Sequence, residues 1–160
     1  MAELKDFEIM KQVDLSEYAR KLSSCDLAVY MGKLTLESGE ILPDPYNIGK
    51  NFWINDVKLW PNITYPDIYN YFVTSASFYS NEEIKCYKSI DSYQYFVCGH
   101  VQQVMFYNPN MGDLVYLMAK VLPSQRQGVK TEMYSTYLVV HNGGDKDGQI
   151  HTAHCTCMAG

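Results

Sequence analysis

Apolar residues recur at helical spacing early in the chain. Leu15, Tyr18, Ala19 and Leu22 share a face, and Asp14 with Glu17 three positions later has the form of a capping box. The polar pair Ser23-Ser24 interrupts the rhythm, so the helix either ends there or restarts near Asp26. Between Leu42 and Pro66 the texture changes. Pro43, Pro45, Pro61 and Pro66 remove amide donors and disfavour helix on their N-terminal sides, which predicts an extended connector. Trp53 and Trp60 within it predict packing rather than a loose tether. Helical signals return from Asp67 to Gly99. Pro66 leads a segment from Asp67 to Val73. Ser80 or Asn81 can cap a helix through Glu82, Glu83, Ile84 and Tyr87, with Lys85 and Lys88 toward its end. A short helix through Tyr93, Phe96 and Val97 stops near Gly99.

From Val101 onward the pattern is that of strands. Four are predicted: Val101 to Tyr107, Asp113 to Val121, Glu132 to His141 and Gln149 to Cys155. The turn-rich segments 108–112 and 142–148 join the first pair and the last pair. The order predicts an α+β fold, with a helical N-terminal part and a C-terminal antiparallel sheet of about four strands. The expected organisation is a helical arm at 1–41, a Pro/Trp-rich connector at 42–66, an α+β body at 67–150 and a distinct end segment at 151–160.

Composition narrows the possibilities. At 160 residues the chain fits one domain, or one domain with an arm, and 47% hydrophobic against 19% charged residues is a globular balance. The net charge of −5 argues against a whole-domain electrostatic grip on nucleic acid and leaves room only for a local basic patch. The start, Met1-Ala2-Glu3-Leu4-Lys5-Asp6, has no apolar signal core, and no apolar run reaches membrane-spanning length. Five scattered cysteines fit a reduced compartment, so an intracellular protein of nucleus or cytoplasm is expected, and Asn62-Ile63-Thr64 reads as a chance triplet.

The most specific chemistry lies at the end, His151-Thr152-Ala153-His154-Cys155-Thr156-Cys157-Met158-Ala159-Gly160. On an extended strand alternate side chains share a face, so Cys155 and Cys157 project together, and a turn at Ala159-Gly160 lets two thiolates converge on one ion. Zinc suits such soft donors, although a closed structural site needs four ligands. His151 and His154 are second-choice ligands, His154 because it faces away from Cys155. The plain alternative is a Cys-x-Cys pair in a frayed tail.

Ala153-His154-Cys155-Thr156-Cys157-Met158-Ala159-Gly160 resembles the opening of a SWIM-type zinc finger, whose pattern is Cys-x-Cys, a short link, then Cys-x-His. Leu42-Pro43-Asp44-Pro45, Leu59-Trp60-Pro61, Asp67-Ile68-Tyr69, Tyr87-Lys88-Ser89, Tyr93-Gln94-Tyr95-Phe96 with Gly99-His100-Val101, and Ala119-Lys120-Val121 with Pro123-Ser124-Gln125-Arg126 widen the likeness. Together they resemble the SWIM-domain proteins of animals often linked to a YqaJ-like viral recombinase domain. The resemblance spans roughly 42–160. It implies that Cys155 and Cys157 are the first two zinc ligands and that 151–160 is the first half of a finger cut before its Cys-x-His. Any nuclease activity of relatives would belong to a downstream domain absent here, so no enzyme is expected. The expected function is a zinc-binding recognition module of a larger protein, contacting nucleic acid or protein. The alternative is a protein-interaction domain with no zinc bound.

Other features have ordinary explanations. Cys25, Cys86 and Cys98 lack partners at metal spacing and read as core or near-core thiols; an enzyme pairing Cys98 with His100 or His141 lacks a nucleophile signature. Asp44, Asp56, Asp67 and Asp91 fit caps and turns, and Asp145-Lys146-Asp147-Gly148 fits a hairpin turn rather than a calcium loop. Lys120, Arg126 and Lys130 could contact phosphates as a basic hairpin tip, or simply be solvated. The tyrosines, including Tyr65, Tyr69, Tyr71, Tyr93 and Tyr95, are expected to fill a helix–sheet interface rather than stack bases.

Overall fold

In the computed structural model, residues 14–74, 91–123 and 132–157 are described. The expected helix through Glu82 and Tyr87, Cys86, and the tip residues Arg126 and Lys130 lie outside the described residues, as do 158–160. The fold is α+β, with four α-helices among the described residues and a four-stranded antiparallel sheet in the C-terminal half. The chain divides into two units, Met1–Trp53 and Ile54–Gly160.

In the first unit α1 spans Glu17–Arg20 and α2 spans Ser24–Leu34. The cap of α1 is Ser16, not Asp14: its backbone is extended, and its hydroxyl accepts the Ala19 N–H at 3.1 Å. The capping-box pattern was offset because the serine two residues later reaches the same orphan donors. The helix does restart after the serine pair. Ser23 accepts the Asp26 N–H at 3.1 Å and donates its own hydroxyl to the Asp26 carboxylate at 2.7 Å. After α2 the chain reverses through Gly39, at φ +85°, and Leu42 N–H returns to the Leu34 carbonyl at 2.8 Å.

The unit is tied together by Asp44, only 2% exposed. One carboxyl oxygen accepts the Ser16 N–H at 2.8 Å, and the other accepts the Tyr30 hydroxyl at 2.7 Å and the Tyr46 N–H at 3.0 Å. These bonds join the start of α1, the middle of α2 and the 3₁₀ turn Pro45–Asn47. Tyr18, Tyr30 and Tyr46 pack mutually with ring centres 5.3 to 6.3 Å apart, and Ala19, Met31, Leu34, Leu42 and Pro45 complete the buried set. The first half of the predicted connector is therefore part of this unit's core.

In the second unit α3 spans Tyr65–Thr74 and α4 spans Asp91–Val97. Asp67 reaches back to the Thr64 N–H at 2.8 Å and also takes the Thr64 hydroxyl, which lowers its pKa from the ordinary carboxylate value, the hydroxyl bond contributing most. The end of α4 is a Schellman closure: Gly99, at φ +74°, donates to the Phe96 carbonyl and His100 to the Tyr95 carbonyl, each at 3.0 Å.

The strands are β1 Met105–Met111, β2 Leu114–Val121, β3 Tyr134–His141 and β4 Ile150–Cys155, in the order β1-β2-β3-β4. The last three nearly match expectation. The first is displaced toward the C-terminus. Tyr107 pairs with Tyr116 and Met111 with Leu114, so Asn108, Pro109 and Asn110 stand opposite Val115. The expected connector is thus a bulge inside β1, where Pro109 donates nothing and Asn110, at φ +58°, donates to the Asn108 side chain at 2.8 Å. The turn itself shrinks to Gly112-Asp113, with Gly112 at φ +62°. Ahead of β1, Val101 bridges Val121 alone.

Tyr116, Tyr137, Val115, Val139 and Val140 are fully buried, and Phe106, Val115 and Leu117 form a cluster joined by Ile63, Val104 and Leu138. Both outer edges of the sheet are met by other parts of the unit. Ile54 and Phe106 exchange two backbone bonds of 2.8 Å at the β1 edge. On the β4 edge the Tyr71 hydroxyl of α3 accepts the Ala153 N–H at 3.0 Å. These contacts occupy groups that would otherwise template another strand. No described helix is long and apolar enough to cross a membrane.

Candidate metal centre at the end of the sheet

β4 alternates between buried Ile150, Thr152 and His154 and half-buried His151, Ala153 and Cys155. Cys155 lies opposite Thr136 and His154 opposite Tyr137, so consecutive residues face opposite sides of the sheet. His154 is buried with its ring 5.9 Å from that of Tyr137. It does not join Cys155 at one point.

The strand ends at Cys155, and Cys157 lies in a bend rather than on the strand. The chain bends at Thr156-Cys157, and the expected turn at Ala159-Gly160 lies outside the described residues. Thr156 sets this bend: its N–H donates to the Ser135 carbonyl at 2.9 Å, and its hydroxyl then takes the Ser135 N–H at 2.9 Å. A side chain thus closes the ladder where the next backbone carbonyl would have continued it. The bend returns the Cys157 N–H onto Cys155 Sγ at 3.3 Å. Both cysteines are half-buried, and none of the four described cysteines is in a disulfide.

The remaining expected site residues are dispersed. Lys120 is exposed near the end of β2 and donates to the Ser135 hydroxyl at 2.5 Å. Cys25 and Cys98 are exposed, not core thiols: α2 turns Cys25 outward, and Cys98 follows the last residue of the short α4. Asp56 accepts the Lys58 N–H at 2.9 Å and Asp147 the Gly143 N–H at 2.9 Å, which is turn chemistry. Tyr65 was expected in an interface and is 72% exposed, because it is the first residue of α3, whereas Tyr69 and Tyr71 are half-buried.

One cluster escaped the sequence reading. At the opposite end of the sheet His141 Nδ1 lies 2.8 Å from Asp113 Oδ2, and the His141 and His151 rings are 6.1 Å apart at 85°. The bond from His141 is the main cause of a lowered Asp113 pKa. Asp113 and His141 are 28 residues apart, and only the β2–β3 register, which pairs Leu114 with His141, brings them together.

Among the described residues no group of three or more His, Cys, Asp or Glu side chains is placed to hold a metal ion. A closed structural zinc site needs four ligands, so two thiols alone do not complete one. The chain matches no protein-family model, no curated protein and no solved structure.

Proposed function

We propose that this chain is a zinc-binding recognition module in which Cys155 and Cys157 supply two thiolate ligands and the remaining ligands come from outside 14–157. The observation that carries this reading is the Cys157 N–H directed at Cys155 Sγ. A backbone amide donated to sulfur suits a thiolate acceptor better than a thiol, and it ties the two cysteines into one turn. The SWIM-type resemblance of the same residues implies the same role for them and supports this reading.

The energetics set the expected strength. A complete structural zinc site is worth about 10–16 kcal/mol, but only with a full ligand set. Two thiolates leave water or another molecule in the other positions. Zinc therefore binds this chain weakly, or binds tightly only when two chains contribute two thiolates each. Titration with zinc under reducing conditions, with the mass of the complex followed by sedimentation, tests this; tight one-to-one binding by a monomer contradicts it.

Nucleic acid is the partner proposed through Lys120, Arg126 and Lys130, and binding must then weaken with salt as phosphate contacts release counterions. Undetectable DNA binding at low salt removes that partner. A second reading, a protein-interaction domain with no zinc in this chain, is favoured by the apolar side chains exposed between Ile54 and Ile68, among them Val57 and Tyr65. Serine substitutions at both cysteines separate the readings, because protein binding survives them only in the second.

A further inference from the structure

The end of the sheet remote from the cysteines carries donors that the zinc reading does not use. Two connections meet there. The Asn142 N–H donates to the Asp113 carbonyl at 2.7 Å, and the Asp113 carboxylate takes His141 Nδ1 at 2.8 Å. A carboxylate only accepts, so Nδ1 carries the proton, and in the neutral ring Nε2 then bears the lone pair. The His141 side chain is only 15% exposed, which holds this orientation.

His151 reaches the same place through an irregularity in β4. Val139 pairs with Thr152 but Val140 pairs with Ile150, so His151 is the extra residue of a bulge. Bulges re-aim a side chain, and here the His151 ring stands 6.1 Å from that of His141. An imidazole bound to a metal has its ring centre about 3.2 Å from the ion, a bond of about 2.1 Å plus the ring radius. Two such rings on one ion are therefore at most about 6.4 Å apart, and about 5.2 Å apart at a tetrahedral angle. The observed spacing is inside the limit, and a shift of about 1 Å, within the scope of side-chain torsions, brings it to the tetrahedral value.

We propose that His141 and His151 form a two-imidazole site for a late first-row divalent metal ion, with Asp113 as the group that orients His141. Imidazole pairs suit nickel, copper and zinc, and a carboxylate on the far nitrogen of a ligating histidine is the usual orienting partner. The site is separate from the cysteines: His151 and Cys155 are four residues apart on one strand, a span of about 13 Å. With two protein ligands it is open, water completes the shell, and the affinity is far below that of a closed structural centre.

The test is Ni²⁺ added to the reduced full chain, followed by calorimetry and by broadening of imidazole resonances. One Ni²⁺ at the imidazole pair, counted apart from any ion on the cysteines and broadening His141 and His151 before His100 and His154, is expected. His151→Gln weakens binding at least about tenfold with an unchanged circular dichroism spectrum, and Asp113→Asn weakens it by about tenfold. Replacing Cys155 and Cys157 with serine leaves it unchanged. The proposal is overturned if Ni²⁺ does not bind, if His151→Gln binds as wild type does, or if binding disappears with the serine pair instead.

Discussion

The two units use their polar groups in opposite ways. In the first, Asp44 is buried and bonded to Ser16, Tyr30 and Tyr46, so its chemistry is consumed in holding two short helices against a turn. In the second, the interior is a mainly apolar sheet that also buries Thr152 and His154, and the half-exposed groups with chemistry to offer stand at its two ends. Cys155 and Cys157 mark one end, His141 and His151 the other. A buried carboxyl with three donors is a structural fastener. Half-exposed thiols and imidazoles are held by the fold yet still reachable from solvent, so the groups able to meet a ligand lie in the second unit.

The largest expected effect breaks the first half of this contrast. Asp44→Ala removes the acceptor of two buried donors and one part-buried donor and should cost about 4 kcal/mol, read as a lower urea midpoint. Asp44→Asn keeps an acceptor and should cost less. The second unit should be most sensitive to backbone crowding instead. Gly148 sits at φ +85° against the Asn62 carbonyl, so a Cβ there collides with backbone. Gly148→Ala should destabilise by about 3 kcal/mol, measured by thermal unfolding. Tyr71→Phe removes the hydroxyl that accepts the Ala153 N–H on the β4 edge, at about 1 kcal/mol in denaturant titrations.

Much of this was legible in the sequence, for reasons that differ by region. The α+β class followed from the switch of period at Val101, and the opposite facing of His154 and Cys155 followed from strand alternation alone. Asp44, Asp56 and Asp67 were readable as cap and turn residues because those bonds are local. What alternation could not show was where the ladder stops: Ser135 and Thr156 are distant in sequence, and their bonds move the bend ahead of Cys157. The role of Asp44 as a hub was equally hidden, since Ser16 is 28 residues away. The Asp113–His141 pair depended on the β2–β3 register, which sets Leu114 opposite His141 and which no local pattern near either residue shows.

The smallest effect concerns pH. Asp113 has its pKa lowered by the His141 bond, so the stability it adds is present above the ordinary carboxylate range and lost as pH falls through the folded value. Its side chain is 46% exposed, so solvent screening keeps this below about 1 kcal/mol. Asp113→Asn should remove that acid-limb slope, as followed by unfolding midpoints between pH 5 and about pH 2.

Cobalt substitution under reducing conditions addresses the cysteine turn most directly, because charge-transfer absorption from sulfur counts the thiolates on the ion. Two thiolates per cobalt at low chain concentration, rising toward four as two chains share one ion, is the predicted result, with the band lost in Cys155→Ser. An absorption spectrum without sulfur-to-metal bands at any concentration contradicts it.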